Sequence, residues 1–161
     1  MQTLEAQIGT LLQIQQRKLA LAESCTGGLV GSRVTDVPGS SAYFLGGVIA
    51  YSYPAKAALL NVSWETLNTQ GAVSEQTVRE MARGVLQLLQ ADVAVSISGI
   101  AGPDGGTVEK PVGTTWIGLA AADIEMAQIL HFSGDREQNK AAAAEAALKL
   151  LLNYLESRSA K

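Results

Sequence analysis

The chain is poor in the side chains on which most hydrolytic and metal chemistry is built. Among 161 residues there is one cysteine and one histidine. A single cysteine excludes an internal disulfide and fits a reducing compartment. With one of each, zinc sites made from histidine pairs or cysteine clusters are excluded as well; no motif calls for another metal or a cofactor, and none is expected. Basic residues are not in excess: 12 Lys and Arg stand against 15 Asp and Glu, a net charge of −3. No basic stripe is left to displace counterions, and a nucleic-acid partner is not expected. No uncharged apolar run of about 18 residues could span a membrane, and no basic-then-apolar leader opens the chain. The expectation is a soluble, cytoplasmic protein without a membrane partner.

What is there reads as one globular domain over residues 1–161. The chain is 47% hydrophobic and 17% charged, with 16 glycines, which suits a packed core and not disorder. Leu4 to Gln16 has the period of an amphipathic helix, with Leu4, Ile8, Leu11, Leu12 and Gln15 on a narrow face. Lys18–Glu23 reads as a strand, followed by a helix to about Val37 that Pro38-Gly39 breaks. Phe44 to Tyr53 reads as a second strand, and Gly46-Gly47 inside it suggests a bulge or a close backbone approach. A short helix over Ala55 to Leu60 and one helical turn at Trp64–Leu67 come next. Ser74 then caps a helix to about Gln90. Asp92 to Ser98 alternates as a strand, Val112–Ala122 and Ile124–Phe132 form a hairpin, and a helix from about Asp135 closes the chain. This order predicts an α/β fold, a three-layer α/β/α sandwich on a mixed β-sheet. The stripe Leu148, Leu151, Leu152 and Leu155 reads as core, with a homo-oligomer interface as the alternative.

Ser24 is the most informative position. It ends the first apolar strand and opens Ser24-Cys25-Thr26-Gly27-Gly28, after which the pattern turns helical. A strand that delivers a hydroxyl into a tight turn before a helix puts it where α/β proteins bind ligands. Backbone N–H groups there can receive a developing oxyanion. The plainer alternative is that Ser24 or Thr26 only caps the helix. A second glycine-rich loop, Gly99-Ile100-Ala101-Gly102-Pro103-Asp104-Gly105-Gly106, follows the third strand. If those strands are neighbours, the two loops face each other across one cleft; the alternative is that both are merely tight turns.

A hydrolytic mechanism needs a base, and His131 is poorly placed to be one. It sits near the end of a strand, so a different base is expected. Tyr51-Ser52-Tyr53-Pro54-Ala55-Lys56 ends a strand and enters a helix. A lysine in a first helical turn works against the helix dipole, which favours its neutral form. A neutral, desolvated lysine can deprotonate a serine, with Tyr51 relaying the proton or positioning the amine. A solvated Lys56 and a core Tyr51 are the alternatives. Cys25, at a helix start, is expected to have a lowered thiol pKa and is the competing nucleophile.

Several separated blocks together resemble the CinA C-terminal domain family. They are Ala22-Glu23-Ser24-Cys25-Thr26-Gly27-Gly28, Tyr51-Ser52 with Ala55-Lys56, Gly71-Ala72-Val73-Ser74 and Ser96–Pro103. Gly105-Gly106 with Lys110–Gly113, and Phe132-Ser133-Gly134-Asp135-Arg136, complete the series. The resemblance runs from about residue 4 to 155 and is to the stand-alone form of the domain. It implies hydrolysis of the carboxamide of nicotinamide mononucleotide, without a metal, in pyridine-nucleotide recycling. Carried over, Ser24 is the nucleophile, Lys56 the general base and Tyr51 its partner. The same resemblance gives Thr26, Gly27 and Gly28 as backbone donors. Gly99, Ile100, Ala101, Gly102, Gly105 and Gly106 line the nucleotide site, and Arg136 makes a phosphate or structural contact. One departure follows Gly134-Asp135-Arg136, where Asn139-Lys140 stands in place of a Val-Arg pair. A nucleotide-binding regulatory domain without turnover is the alternative from another class.

Overall fold

Strand β1 (Leu19–Glu23) is buried along its whole length. A strand with no solvated face has to be covered on both sides, and it has to sit inside a sheet. The computed structural model, which describes residues 2–159, meets both demands. Five strands lie in the order β2 (Phe44–Ile49), β1, β3 (Val93–Gly99), β4 (Thr114–Ala121), β5 (Ile124–His131). β1 pairs parallel with β2 and with β3, whereas β3, β4 and β5 run antiparallel.

One face carries α1 (Leu4–Ile14), α2 (Leu29–Thr35) and α6 (Arg136–Ser159), packed through Ile8, Leu12, Val30, Val34, Leu148 and Leu151 on Leu21 and Val95. The other carries α3 (Tyr53–Leu60), α4 (Trp64–Gln70) and α5 (Glu75–Leu89), packed through Leu60, Leu67, Met81 and Val85 on Ala20, Ala22 and Ala94. The expected α/β/α sandwich on a mixed sheet is therefore the fold. Leu148, Leu151 and Leu155 belong to its core, with Leu152 packed beside them. Among the described residues no helix is long and apolar enough to cross a membrane.

Two elements differ from the sequence reading. β2 stops at Ile49 and does not reach Tyr53, because Ser52 accepts a hydrogen bond from the Ala55 N–H at 3.2 Å and, with Pro54 behind it, starts α3 early. Trp64 opens a seven-residue helix and not a single turn; Ser63 caps it by accepting from the Thr66 N–H at 3.0 Å. The glycines of β2 behave as expected. Pairing skips Leu45 between Phe44 and Gly46, and a Cβ at Gly47 would lie 3.0 Å from the Leu21 carbonyl oxygen.

From β1 the chain passes through α2 to β2 on one side, then returns across α3, α4 and α5 to β3 on the other. The crevice between the carboxyl ends of β1 and β3 is thus a topological switch point, the place where α/β sheets hold ligands. Gly84 sets how closely α5 lies on α3, since a Cβ there would land on the Leu60 carbonyl. Gly84→Ala gains about 1 kcal/mol of helix propensity and loses more by forcing the helices apart. A net loss of about 2 kcal/mol is expected, read as a lowered midpoint of urea unfolding.

Candidate active site

Ser24 emerges directly from β1, its N–H donating to the Ile97 carbonyl of β3 at 3.0 Å. The two parallel strands are neighbours, so the loops Ser24–Gly28 and Gly99–Gly106 leave the same end of the sheet side by side. On β1, Leu21 packs towards α2 and Ala20 and Ala22 towards α3 and α5. Side chains alternate along a strand, so Ser24 continues the row facing α3. Lys56 of α3 is 1% exposed, and its Nζ donates to Ser24 Oγ at 2.9 Å. The same nitrogen donates to the Ala50 carbonyl at 2.8 Å and lies 3.4 Å from the Tyr51 carbonyl.

Burial pushes the Lys56 amine down to about 8. Desolvation, and not the helix dipole that the sequence suggested, is the main cause. With the proton lost, the amine keeps two N–H bonds for the carbonyls of Ala50 and Tyr51. Its lone pair then points at the Ser24 hydroxyl, which becomes the donor. That is the arrangement a general base requires.

Tyr51 meets Lys56 through its backbone and not its phenol. The ring is 61% exposed, and its hydroxyl accepts from Arg136 Nη2 at 3.1 Å. A proton relay through the phenol therefore has no bond to run along. Arg136 also donates through Nη1 to the Gly102 carbonyl at 2.7 Å, so it joins the second glycine loop to the Tyr51 rim.

The turn after Ser24 also departs from expectation. Glu23 is buried, and its carboxylate accepts from Thr26 Oγ1 at 2.6 Å and from the N–H groups of Gly28, Val30 and Gly31 at 3.0, 3.2 and 2.8 Å. Gly27 donates to the Ser24 carbonyl at 3.1 Å. The Gly27 and Gly28 amides are thus already engaged. The N–H groups of Cys25 and Thr26 take part in none of these bonds. Sequence reasoning missed Glu23, although a carboxylate at the end of a buried strand, just ahead of a helix start, complements that helix's dipole.

Cys25 is reversed from the sequence expectation. Burial pushes its thiol up to about 11, aided by the nearby Glu23 charge and opposed by the N–H groups of Cys25 and Gly99. At neutral pH it is a thiol and a poor nucleophile. His131 is a strand-end residue, as expected; its Nδ1 lies 3.4 Å from Thr114 Oγ1.

In the second loop, Ile100 continues the sheet, its N–H donating to Thr114 and its carbonyl accepting from Gly113. Ala101 and Gly102 are buried, whereas Gly105 and Gly106 lie on the exposed arm. Asn139 explains part of the departure after Arg136. Only 3% exposed, it donates through Nδ2 to the carbonyls of Ala101 and Gly134, both at 3.0 Å, and accepts from the Gly134 N–H at 3.0 Å. It clamps the start of α6 to the loop, a task a valine could not perform. Beside it, Leu29, Arg136, Glu137, Lys140 and Ala141 line a cavity of about 450 Å³. Among the described residues no group of histidine, cysteine and acidic side chains is arranged to hold a metal.

The profile of the CinA C-terminal domain matches residues 1–155. The chain is 52% identical to the nicotinamide-nucleotide amidohydrolase PncC of Enterobacter agglomerans, with 92% of each covered. It is also 52% identical to a putative competence-damage inducible protein of Halothermothrix orenii, over 96% of this chain but 38% of that protein. The chain thus spans little more than a third of the length of several curated relatives. In three dimensions it superposes on a CinA superfamily protein from Klebsiella pneumoniae with a TM-score of 0.92, at 36% identity and 96% coverage of both. The competence/damage inducible protein CihA of Agrobacterium tumefaciens gives 0.91 at 38% identity, over 93% of both chains. With the blocks that carry the resemblance gathered at one end of one sheet, the chain belongs to the CinA C-terminal domain family.

Proposed function

We propose that this chain hydrolyses the carboxamide of nicotinamide mononucleotide to nicotinic acid mononucleotide and ammonia, with Ser24 as nucleophile and Lys56 as general base. The observation that carries the reading is the buried Lys56 amine, 2.9 Å from Ser24 Oγ, with its other hydrogens committed to two carbonyls. The PncC relative, matched over nearly all of its length, supports the substrate class.

The steps follow from that geometry. Lys56 takes the Ser24 proton as Oγ bonds to the carboxamide carbon. The carbonyl electrons move to oxygen, where the N–H groups of Cys25 and Thr26 receive the charge. Collapse of this intermediate breaks the C–N bond, and the proton on Lys56 goes to the leaving nitrogen, which departs as ammonia. Water then attacks the ester carbon, giving a proton to Lys56 that is returned to Ser24 Oγ as the acid leaves. Every proton passes through one nitrogen, and no step calls for a metal. Arg136 and Lys140, two cations that line one cavity together with Glu137, are the candidates for holding the nucleotide phosphate.

Ser24→Ala is expected to abolish ammonia release from nicotinamide mononucleotide while leaving the circular-dichroism spectrum and thermal midpoint near wild type. Turnover retained in that variant refutes the nucleophile, and substrate binding without turnover in the wild type favours the regulatory alternative. EDTA should leave the rate unchanged. Because the base must be uncharged, kcat/KM should rise with pH up to about 8, the Lys56 value, and level off above it. The same group marks stability. Its pKa is depressed in the folded state, so between about 8 and the ordinary lysine value near 10.5 the unfolded chain binds more protons and stability rises with pH. Lys56→Met removes this rise. The stability gap between variant and wild type should therefore shift by about 3 kcal/mol between neutral pH and pH near 10.5, measured by urea unfolding.

A further inference from the structure

Glu23 is 3% exposed and makes no hydrogen bond to Ser24 Oγ or Lys56, yet its carboxylate makes four hydrogen bonds, one of them to the Thr26 hydroxyl. A buried carboxylate is costly unless its oxygens are satisfied, and ordinary capping would need no such group. Helix α2 begins after Gly28, which has a positive φ of 102° and no side chain to cap with. By strand alternation Glu23 faces α2, while the next residue, Ser24, faces Lys56. Two side chains one peptide apart thus hold opposite faces of the strand end. The four bonds reach Thr26, Gly28, Val30 and Gly31, spanning the whole turn between the nucleophile and the helix.

We propose that Glu23 is a positioning residue for catalysis: its carboxylate winds the Ser24–Gly28 turn around itself, so that Ser24 Oγ and the free N–H groups of Cys25 and Thr26 keep one fixed geometry. By drawing the Gly28, Val30 and Gly31 amides inward, it also decides which amides remain for the substrate oxygen. The inference rests on Ser24 being the nucleophile. Its reach is wider than capping, because the bond to Thr26 Oγ1 fixes a residue of the turn itself.

The test compares wild type with Glu23→Gln, which keeps the length but turns one acceptor into a donor facing N–H groups, and with Glu23→Asp, which keeps the charge but shortens the reach. The first readout is kcat and KM for ammonia release from nicotinamide mononucleotide. Loss of a positioned oxyanion donor costs about 100-fold or more in kcat, and a loss approaching that is expected for Glu23→Gln, with KM little changed and Glu23→Asp intermediate. The second readout does not depend on turnover. Cys25 is the chain's one thiol and sits inside the turn, so its alkylation by iodoacetamide, followed by intact mass well below the thermal midpoint, reports the order of the turn. Alkylation should be roughly tenfold faster in Glu23→Gln than in wild type, since the thiol gains access and loses a neighbouring negative charge. Wild-type kcat in that variant overturns the proposal even if its thermal midpoint falls, and so does wild-type Cys25 reactivity. If the wild type releases no ammonia, the function reading fails, and the alkylation rate alone decides the role of Glu23. If Glu23→Gln does not fold, Glu23→Asp carries both comparisons, with smaller changes in the same directions.

Discussion

A primary amine shut away from water sets the terms for this molecule. Lys56 is held by Ser24 Oγ and by the Ala50 carbonyl, with the Tyr51 carbonyl nearby. Those acceptors come from β1 and from the segment joining β2 to α3. The amine can stay buried only while the two parallel strands end at the same level and α3 lies against them. Sheet register, the packing of α5 on α3 and the early start of α3 at Ser52 all serve that one contact. Burying a cation without a full counter-charge is unfavourable, and the protein meets the difficulty by lowering the pKa of the amine and surrounding it with neutral acceptors.

Opposite charges are kept on opposite sides of the strand end. Glu23 satisfies the amides of α2 on one face, while Lys56 addresses Ser24 on the other. Had the carboxylate faced Lys56, a salt bridge would have held the amine protonated and closed it to base chemistry. The alternation of β1 therefore separates an acid from a base that would otherwise neutralise each other.

Much of this was legible in the residues. Ser24 in its turn, Lys56 entering a helix, the two glycine loops and the mixed sheet all follow from apolar period, capping residues and breakers. The strand ends were less so: Ser52 and Ser63 start their helices through side-chain caps whose strength a periodicity does not carry. What stayed hidden depends on direction and depth. Whether Tyr51 reaches Lys56 by phenol or by carbonyl is a matter of which way the chain turns after Ala50. The thiol of Cys25 was expected to be acidic because it neighbours a helix start, but the carboxylate of Glu23 already occupies those amides and burial dominates. Asn139 looked like a loss against the family pattern; only its contacts with Ala101 and Gly134 show a clamp.

The second glycine loop is stitched to its surroundings by side chains. Asn139 fastens the second glycine loop to the start of α6, and Arg136 ties that loop to the phenol of Tyr51. The Arg136 guanidinium can exchange the oxygens of Tyr51 and Gly102 for those of an incoming anion, a swap made by rotamer changes on the nanosecond scale. Admission can then proceed by partner exchange at one side chain, with the backbone around Ser24 left standing.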